Sequence, residues 1–112
     1  MNCVRAANRI TLERSVEVKD AIQGKISSLL CLVIEGEEVS FSWLKDGHVI
    51  TPSERISLYS DGTGSKLTFR QTQVSDSGNY TCVARNEAST ARMVVKFSVE
   101  GRRTLANRCT VF

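Results

Sequence analysis

The sequence predicts an all-β protein, a sandwich of two sheets. Two observations carry that expectation. Apolar residues recur with a period of two in short segments, and no stretch carries the spacing of a long amphipathic helix. Clusters of turn-forming residues separate those segments at intervals of roughly 8–12 residues, the rhythm of a sandwich. The 112 residues suffice for one domain and leave no room for a second independent core. With 41% apolar residues, 24% charged and a single proline, the composition is that of a folding chain, far from the signature of disorder.

Candidate strands fall, in order, at residues 15–19, 25–34, 40–45, a short piece near 48–51, and then 56–60, 65–70, 79–86 and 91–99. Gly24 ends the first, and Glu35-Gly36-Glu37 separates the second from the third. Asp46-Gly47 makes the next turn, followed by Thr51-Pro52-Ser53 and then Asp61-Gly62-Thr63-Gly64. Ser75-Asp76-Ser77-Gly78 and Asn86-Glu87-Ala88 flank the seventh. Asp-Gly, which occurs twice, tolerates positive φ at hairpin tips.

Fifteen Lys and Arg stand against 12 Asp and Glu. Five of the bases (Arg5, Arg9, Arg102, Arg103 and Arg108) lie in acid-free flanks, which leaves residues 13–100 with 10 bases against 12 acids. A nucleic-acid binder concentrates positive charge on its folded surface, so nucleic acid is not an expected partner. The longest apolar run, from Leu29 to Ile34, is six residues, where a bilayer-spanning helix needs about 20. The first nine residues lack the apolar segment of a secretory leader, so we expect either a cytosolic protein or a piece of a longer chain whose leader and membrane anchor lie outside it. The expected organisation is a flexible flank at 1–12, a domain at 13–100 and a basic, disordered or non-native tail at 101–112.

The four cysteines form no Cys-x-x-Cys pair and share the chain with one histidine, His48, which argues against a zinc site. Cys31 lies within a candidate strand, Trp43 follows 12 residues later, and Cys82 closes the segment Asp76-Ser77-Gly78-Asn79-Tyr80-Thr81-Cys82. This constellation resembles the immunoglobulin fold, a Greek-key sandwich. The resemblance implies a disulfide between Cys31 and Cys82 across two sheets packed ~10 Å apart. It also implies a core tryptophan at Trp43 and a tyrosine corner at Tyr80. The alternative is two buried thiols in a reducing compartment. Gly78 permits the tight turn, and Asp76 needs a partner there, for which Arg55 is nominated. Such a bridge would close a loop of about 50 residues, worth about 4 kcal/mol in the chain-entropy treatment. Cys3 and Cys109 lie outside the sandwich, open to a mutual bridge, to bridges with something else, or to being non-native sequence.

The short interval from Trp43 to Cys82 is most similar to the intermediate, or I-set, type. Phe41-Ser42-Trp43-Leu44-Lys45-Asp46-Gly47 and the run from Ser77 to Ala88 resemble arthropod Down syndrome cell adhesion molecules, including the chelicerate forms. The resemblance covers about residues 14–100. It implies a fragment of a receptor on the extracellular side of the plasma membrane, engaged in homophilic cell–cell binding, as in neuronal self-avoidance and axon guidance. The alternatives are an intracellular structural domain of a titin-like muscle protein and a soluble immune or ligand-binding module.

Catalysis has little to stand on, so neither an enzyme nor a small-molecule substrate nor a cofactor is expected. His48 falls beside a turn, with no nucleophile near it in sequence. Glu35, Glu37 and Glu38 lack the distributed oxygen cage of a calcium site, so no metal is expected. Asn79-Tyr80-Thr81 is an N-glycosylation sequon whose Asn79 should face outward, since Tyr80 and Cys82 face inward.

Strand parity locates the candidate binding surface. With Cys31, Leu29 and Val33 inward, Leu30, Leu32 and Ile34 turn outward. With Leu67 and Phe69 inward, Lys66, Thr68 and Arg70 turn outward, and Ile56 and Leu58 inward leave Ser57 and Tyr59 outward. The face built from the strands at 15–19, 25–34, 56–60 and 65–70 then shows Leu30, Leu32 and Tyr59 rimmed by Lys66, Arg70 and Glu17, the anatomy of an interface. The alternative is that Leu30 and Leu32 only supply β-propensity beneath long neighbouring side chains. Leu44, Val83 and Val94 form a smaller outward patch on the opposite sheet.

Overall fold

A computed structural model describes residues 8–101. Its nine strands are β1 (Thr11–Leu12), β2 (Val16–Ile22), β3 (Ser27–Glu35), β4 (Ser40–Lys45), β5 (His48–Val49), β6 (Ile56–Asp61), β7 (Gly64–Phe69), β8 (Gly78–Arg85) and β9 (Thr90–Glu100), with one 3-10 turn at Val74–Asp76. They form two sheets, ordered β1-β3-β7-β6 and β2-β9-β8-β4-β5. The expectations for Cys3, Cys109 and the tail beyond Gly101 lie outside the described residues.

Alternation builds the core. Leu29 and Cys31 of β3 and Leu67 and Phe69 of β7 face Trp43 of β4, Tyr80 and Cys82 of β8, and Met93, Val95 and Phe97 of β9. The Phe69 and Phe97 rings stack at 5.2 Å, and Tyr80 meets both edge-on at 5.6 and 5.9 Å. Such offset and T-shaped pairs add about 0.5–1.5 kcal/mol each beyond the area they bury.

The two Asp-Gly turns differ. Asp46 and Gly47 both take positive φ, +48° and +89°, as a two-residue hairpin between β4 and β5 requires. Asp61-Gly62 does not use positive φ. There the Asp61 carboxylate accepts from the Thr63 N–H at 2.8 Å and its hydroxyl at 2.7 Å, and this local capping holds the tip instead.

Three expectations are corrected. Residues 8–12 do not form a flexible flank: β1 pairs with β3, Ile10 is buried, and its N–H donates to Ser89 Oγ at 2.9 Å. Asn8 joins the same end, its side-chain oxygen accepting from Glu37 N–H at 2.7 Å and its backbone carbonyl from Asn86 Nδ2 at 2.8 Å. Glu17 is not on the face of Leu30, because β2 pairs in parallel with β9, setting Glu17 opposite Lys96 in the other sheet. Val83 is outward by parity yet only 3% exposed, in register between Ser42 and Arg92.

Candidate functional site

Three tethers fix the two faces relative to each other. The Cys31 and Cys82 sulfurs are bonded, joining β3 to β8 through the middle of the core. Trp43, 1% exposed, donates its indole N–H to Ser65 Oγ at 2.8 Å, and Ser60 and Ser65 share a further hydroxyl bond at 2.8 Å. This chain from β4 to β7 and β6 satisfies the one polar atom of the indole inside the core. Sequence reasoning places Ser60 and Ser65 at the ends of candidate strands but gives them no role, since nothing in either segment signals an indole arriving from the opposite sheet.

The third tether closes one end of the sandwich. Arg55 grips Asp76 with both nitrogens, Nη1 to Oδ2 at 2.7 Å and Nη2 to Oδ1 at 2.9 Å. The fork also reaches the Gln71 carbonyl at 3.2 Å, while Gln73 N–H donates to Asp76 Oδ2 at 2.8 Å. Burial alone pushes the Asp76 carboxyl up, but the guanidinium and the Gln73 N–H outweigh it and hold the group below the ordinary carboxylate range. Tyr80 donates its hydroxyl to the Asp76 backbone carbonyl, so Asp76 anchors both β8 and the segment before β6. Burial, with the Asp76 and Asp46 carboxylates adding to it, pushes the Tyr80 phenol well above its usual range. Gly78 takes φ +155°, and a Cβ there would stand 3.0 Å from the Asp46 carboxylate.

On the outer face of the β1-β3-β7-β6 sheet, the register sets Leu30 opposite Lys66 and Lys66 opposite Tyr59. Leu30, Leu32 and Tyr59 are 50%, 45% and 65% exposed, and Ile34 extends the row. Gly64 stands opposite Leu32, and a Cβ on it would come within 2.7 Å of the Cys31 carbonyl and 3.0 Å of Leu32 Cδ2. The bare glycine therefore lets Leu32 lie down over β7. Lys66 and Arg70 are exposed on β7 and just beyond it, while Ser28 and Thr68 share a hydroxyl bond at 3.1 Å.

The outer face of the other sheet holds a groove of about 630 Å³ lined by Val16, Glu17, Asn79, Thr81, Val94 and Lys96, among others. Asn79 is exposed beside the Asp46-Gly47 turn, its N–H donating to Asp46 Oδ1 at 3.2 Å. Leu44 is only partly exposed and Val94 is 37% exposed, so with Val83 covered this face lacks a broad apolar centre. Among the described residues no three His, Cys, Asp or Glu side chains converge as metal ligands would.

The sequence profile of immunoglobulin I-set domains matches residues 10–99. The chain belongs to the immunoglobulin I-set family. Among relatives of this I-set domain, mouse hemicentin-2 is 46% identical over 76 residues, 65% of this chain and 1% of that protein. Human hemicentin-1 is 36% identical over 81 residues, 72% of this chain and 1% of its own length. The chicken cell adhesion molecule DSCAML1 is 33% identical over 75 residues, 66% of this chain and 4% of that protein. The I-set domain thus spans only a few per cent of the proteins it matches. Among solved structures, a complex of titin M10 with an obscurin-like 1 immunoglobulin domain superposes with a TM-score of 0.73 at 28% identity, covering 82% of this chain and 94% of that one. Titin domain M7 gives 0.75 at 22% identity, covering 83% and 95%, a likeness of fold alone. The I-set profile starts at Ile10, in agreement with the burial of that residue.

Proposed function

We propose that this I-set domain is an extracellular recognition module of a larger adhesion receptor, and that a second copy of the chain docks on the outer face of the β1-β3-β7-β6 sheet. The observation that carries this reading is the exposed Leu30–Leu32–Tyr59 centre with its charged border. That face is also self-complementary in charge. Asp61 and Arg70 stand at opposite ends of it, so a copy related by a two-fold axis running across the strands sets each against the other. Relatives named as cell adhesion molecules support the class of activity. On this reading the domain serves homophilic cell–cell binding of the kind used in self-avoidance and axon guidance.

The test is Leu30→Glu combined with Leu32→Glu, read by sedimentation equilibrium and by aggregation of beads that display the domain at high density, which supplies avidity. Abolished association with an unchanged melt supports the reading, because each carboxylate would be desolvated opposite its own copy. Association that survives the pair but falls with Leu44→Glu or Val94→Glu moves the interface to the other sheet and overturns it. The titin-like neighbours favour a second reading, an intracellular structural domain. Free thiols at Cys31 and Cys82 in protein from its native source would select that reading, and an oxidised pair the first.

A further inference from the structure

The geometry points to Asn79 as a glycosylated residue whose sugar occupies the groove on the β2-β9-β8-β4-β5 face, masking that sheet and leaving the opposite one for recognition. The inference rests on the extracellular reading above. Asn79-Tyr80-Thr81 is the sole Asn-x-Ser/Thr sequence in the 112 residues. It sits on β8, where alternation sends Asn79 and Thr81 outward while Tyr80 goes to the core. Asn79 is exposed, and both Asn79 and Thr81 line the groove of about 630 Å³. A sugar attached there has a seat as well as an exit.

The chemistry of that seat suits a hexosamine. Val94, 37% exposed on the outer face, offers apolar surface to a pyranose face and an acetamido methyl, with Val16 at the groove's rim on the edge strand β2. Glu17, Lys96 and Ser15 supply acceptors and donors around them. Without an occupant, Val94 is an apolar group in water on the outer face of β9. In the attachment step, the Asn79 amide nitrogen attacks the anomeric carbon of an oligosaccharide carried on a lipid diphosphate. The carbon–oxygen bond to the diphosphate breaks, a carbon–nitrogen bond forms, and the amide gives up one proton as the lipid diphosphate leaves. The chain can accept the sugar while still extended, and the fold then places the product on this groove.

The experiment expresses the 112-residue chain behind a cleavable secretory leader in cultured animal cells. Intact mass is measured before and after peptide-N-glycosidase, which releases the glycan and converts Asn79 to Asp. The expected result is a glycan mass that the enzyme removes, that is lost in both Asn79→Gln and Thr81→Ala, and that persists in Thr81→Ser. Seating in the groove is read by acetylation of lysines with a soluble reagent. Lys96 should label several-fold more slowly in the glycosylated chain, Lys66 on the other face at an unchanged rate, and the two forms should become equal after glycan removal. A secreted, disulfide-bonded chain without glycan overturns the proposal and leaves the extracellular reading intact. A glycan with no effect on Lys96 overturns its placement in the groove. Free thiols at Cys31 and Cys82 in the native-source protein would instead bring down the extracellular reading on which the inference rests.

Discussion

Replacing Arg55 by Ala should expose how the closed end of the sandwich is held. The substitution deletes both guanidinium bonds to Asp76 and the bond to the Gln71 carbonyl. It leaves a carboxylate whose side chain is 7% exposed with the Gln73 N–H as its remaining donor. Stripping one partner from a fully buried pair costs about 3–5 kcal/mol. The Arg55 side chain is 26% exposed, so water can enter the vacated fork, and we expect a smaller loss. Two charge-assisted bonds discounted for that access give about 2–3 kcal/mol, or a fall in Tm of about 10–20 °C for a domain of this size. The sign with pH follows from the depressed Asp76 carboxyl. Its contribution is fully present above the carboxyl's unfolded-state range and is lost as pH falls through its lower folded value. The stability gap between wild type and variant should therefore be widest at neutral pH and close on acidification. In the variant, burial is no longer opposed by the guanidinium, so the gap starts to close at a higher pH than the wild-type carboxyl would suggest. Urea melts across a pH series measure it. A gap under about 0.5 kcal/mol at neutral pH, or one that does not change with pH, would refute the reasoning. A double-mutant cycle with Asp76→Asn should show coupling above about 1 kcal/mol.

Two further substitutions test the core and its corrected boundary. Trp43→Ala removes an indole that is 1% exposed together with its bond to Ser65, so a loss of about 3–5 kcal/mol is expected. A circular-dichroism melt within a few degrees of wild type would contradict a central role for Trp43. Ile10→Ala should cost about 2 kcal/mol, the low end for a buried isoleucine, because this side chain lies at the end of the core against Gly36. Chemical denaturation checks it, and an unchanged midpoint would return residues before β1 to the status of a flank.

Much of the fold was legible because its strongest signals are local. Cys31, Trp43 and Tyr80 each sit in a strand whose period of two makes inward and outward unambiguous, and all three lie in the core. The Arg55–Asp76 pair was legible for a different reason, since a carboxylate at a bend demands a donor and few are near. Other features depend on more than one strand. Val83 is outward by parity, yet its exposure is decided by its neighbours across β4 and β9, which no single segment encodes. The role of Ser65 follows from where the indole of Trp43 arrives from the opposite sheet, 22 residues away in sequence. β1 was missed because two residues are too short to display a period.

The misplacement of Glu17 shows the limit of parity most clearly. Alternation assigns a side chain to the inside or outside of its own strand and says nothing of which sheet that strand joins. Here the chain changes sheets within three residues. Glu13 N–H still donates to the Leu32 carbonyl of the first sheet at 3.0 Å, while Ser15 Oγ already accepts from Val94 N–H of the second at 3.0 Å. β2 then runs parallel to β9, and a register shift between Val18 and Ala21 brings both of those residues inward despite their odd spacing. An alternating pattern fails across that bulge after Val18, and the strand expected at 15–19 runs on to Ile22. The switch also shapes the outer faces of the two sheets. By carrying Glu17 to the other sheet, it leaves Lys66, Arg70 and Asp61 among the charged neighbours of the Leu30 face, and it builds one wall of the groove beside Asn79. The same three-residue crossing thus separates the apolar face of Leu30 and Leu32 from the face that carries Asn79.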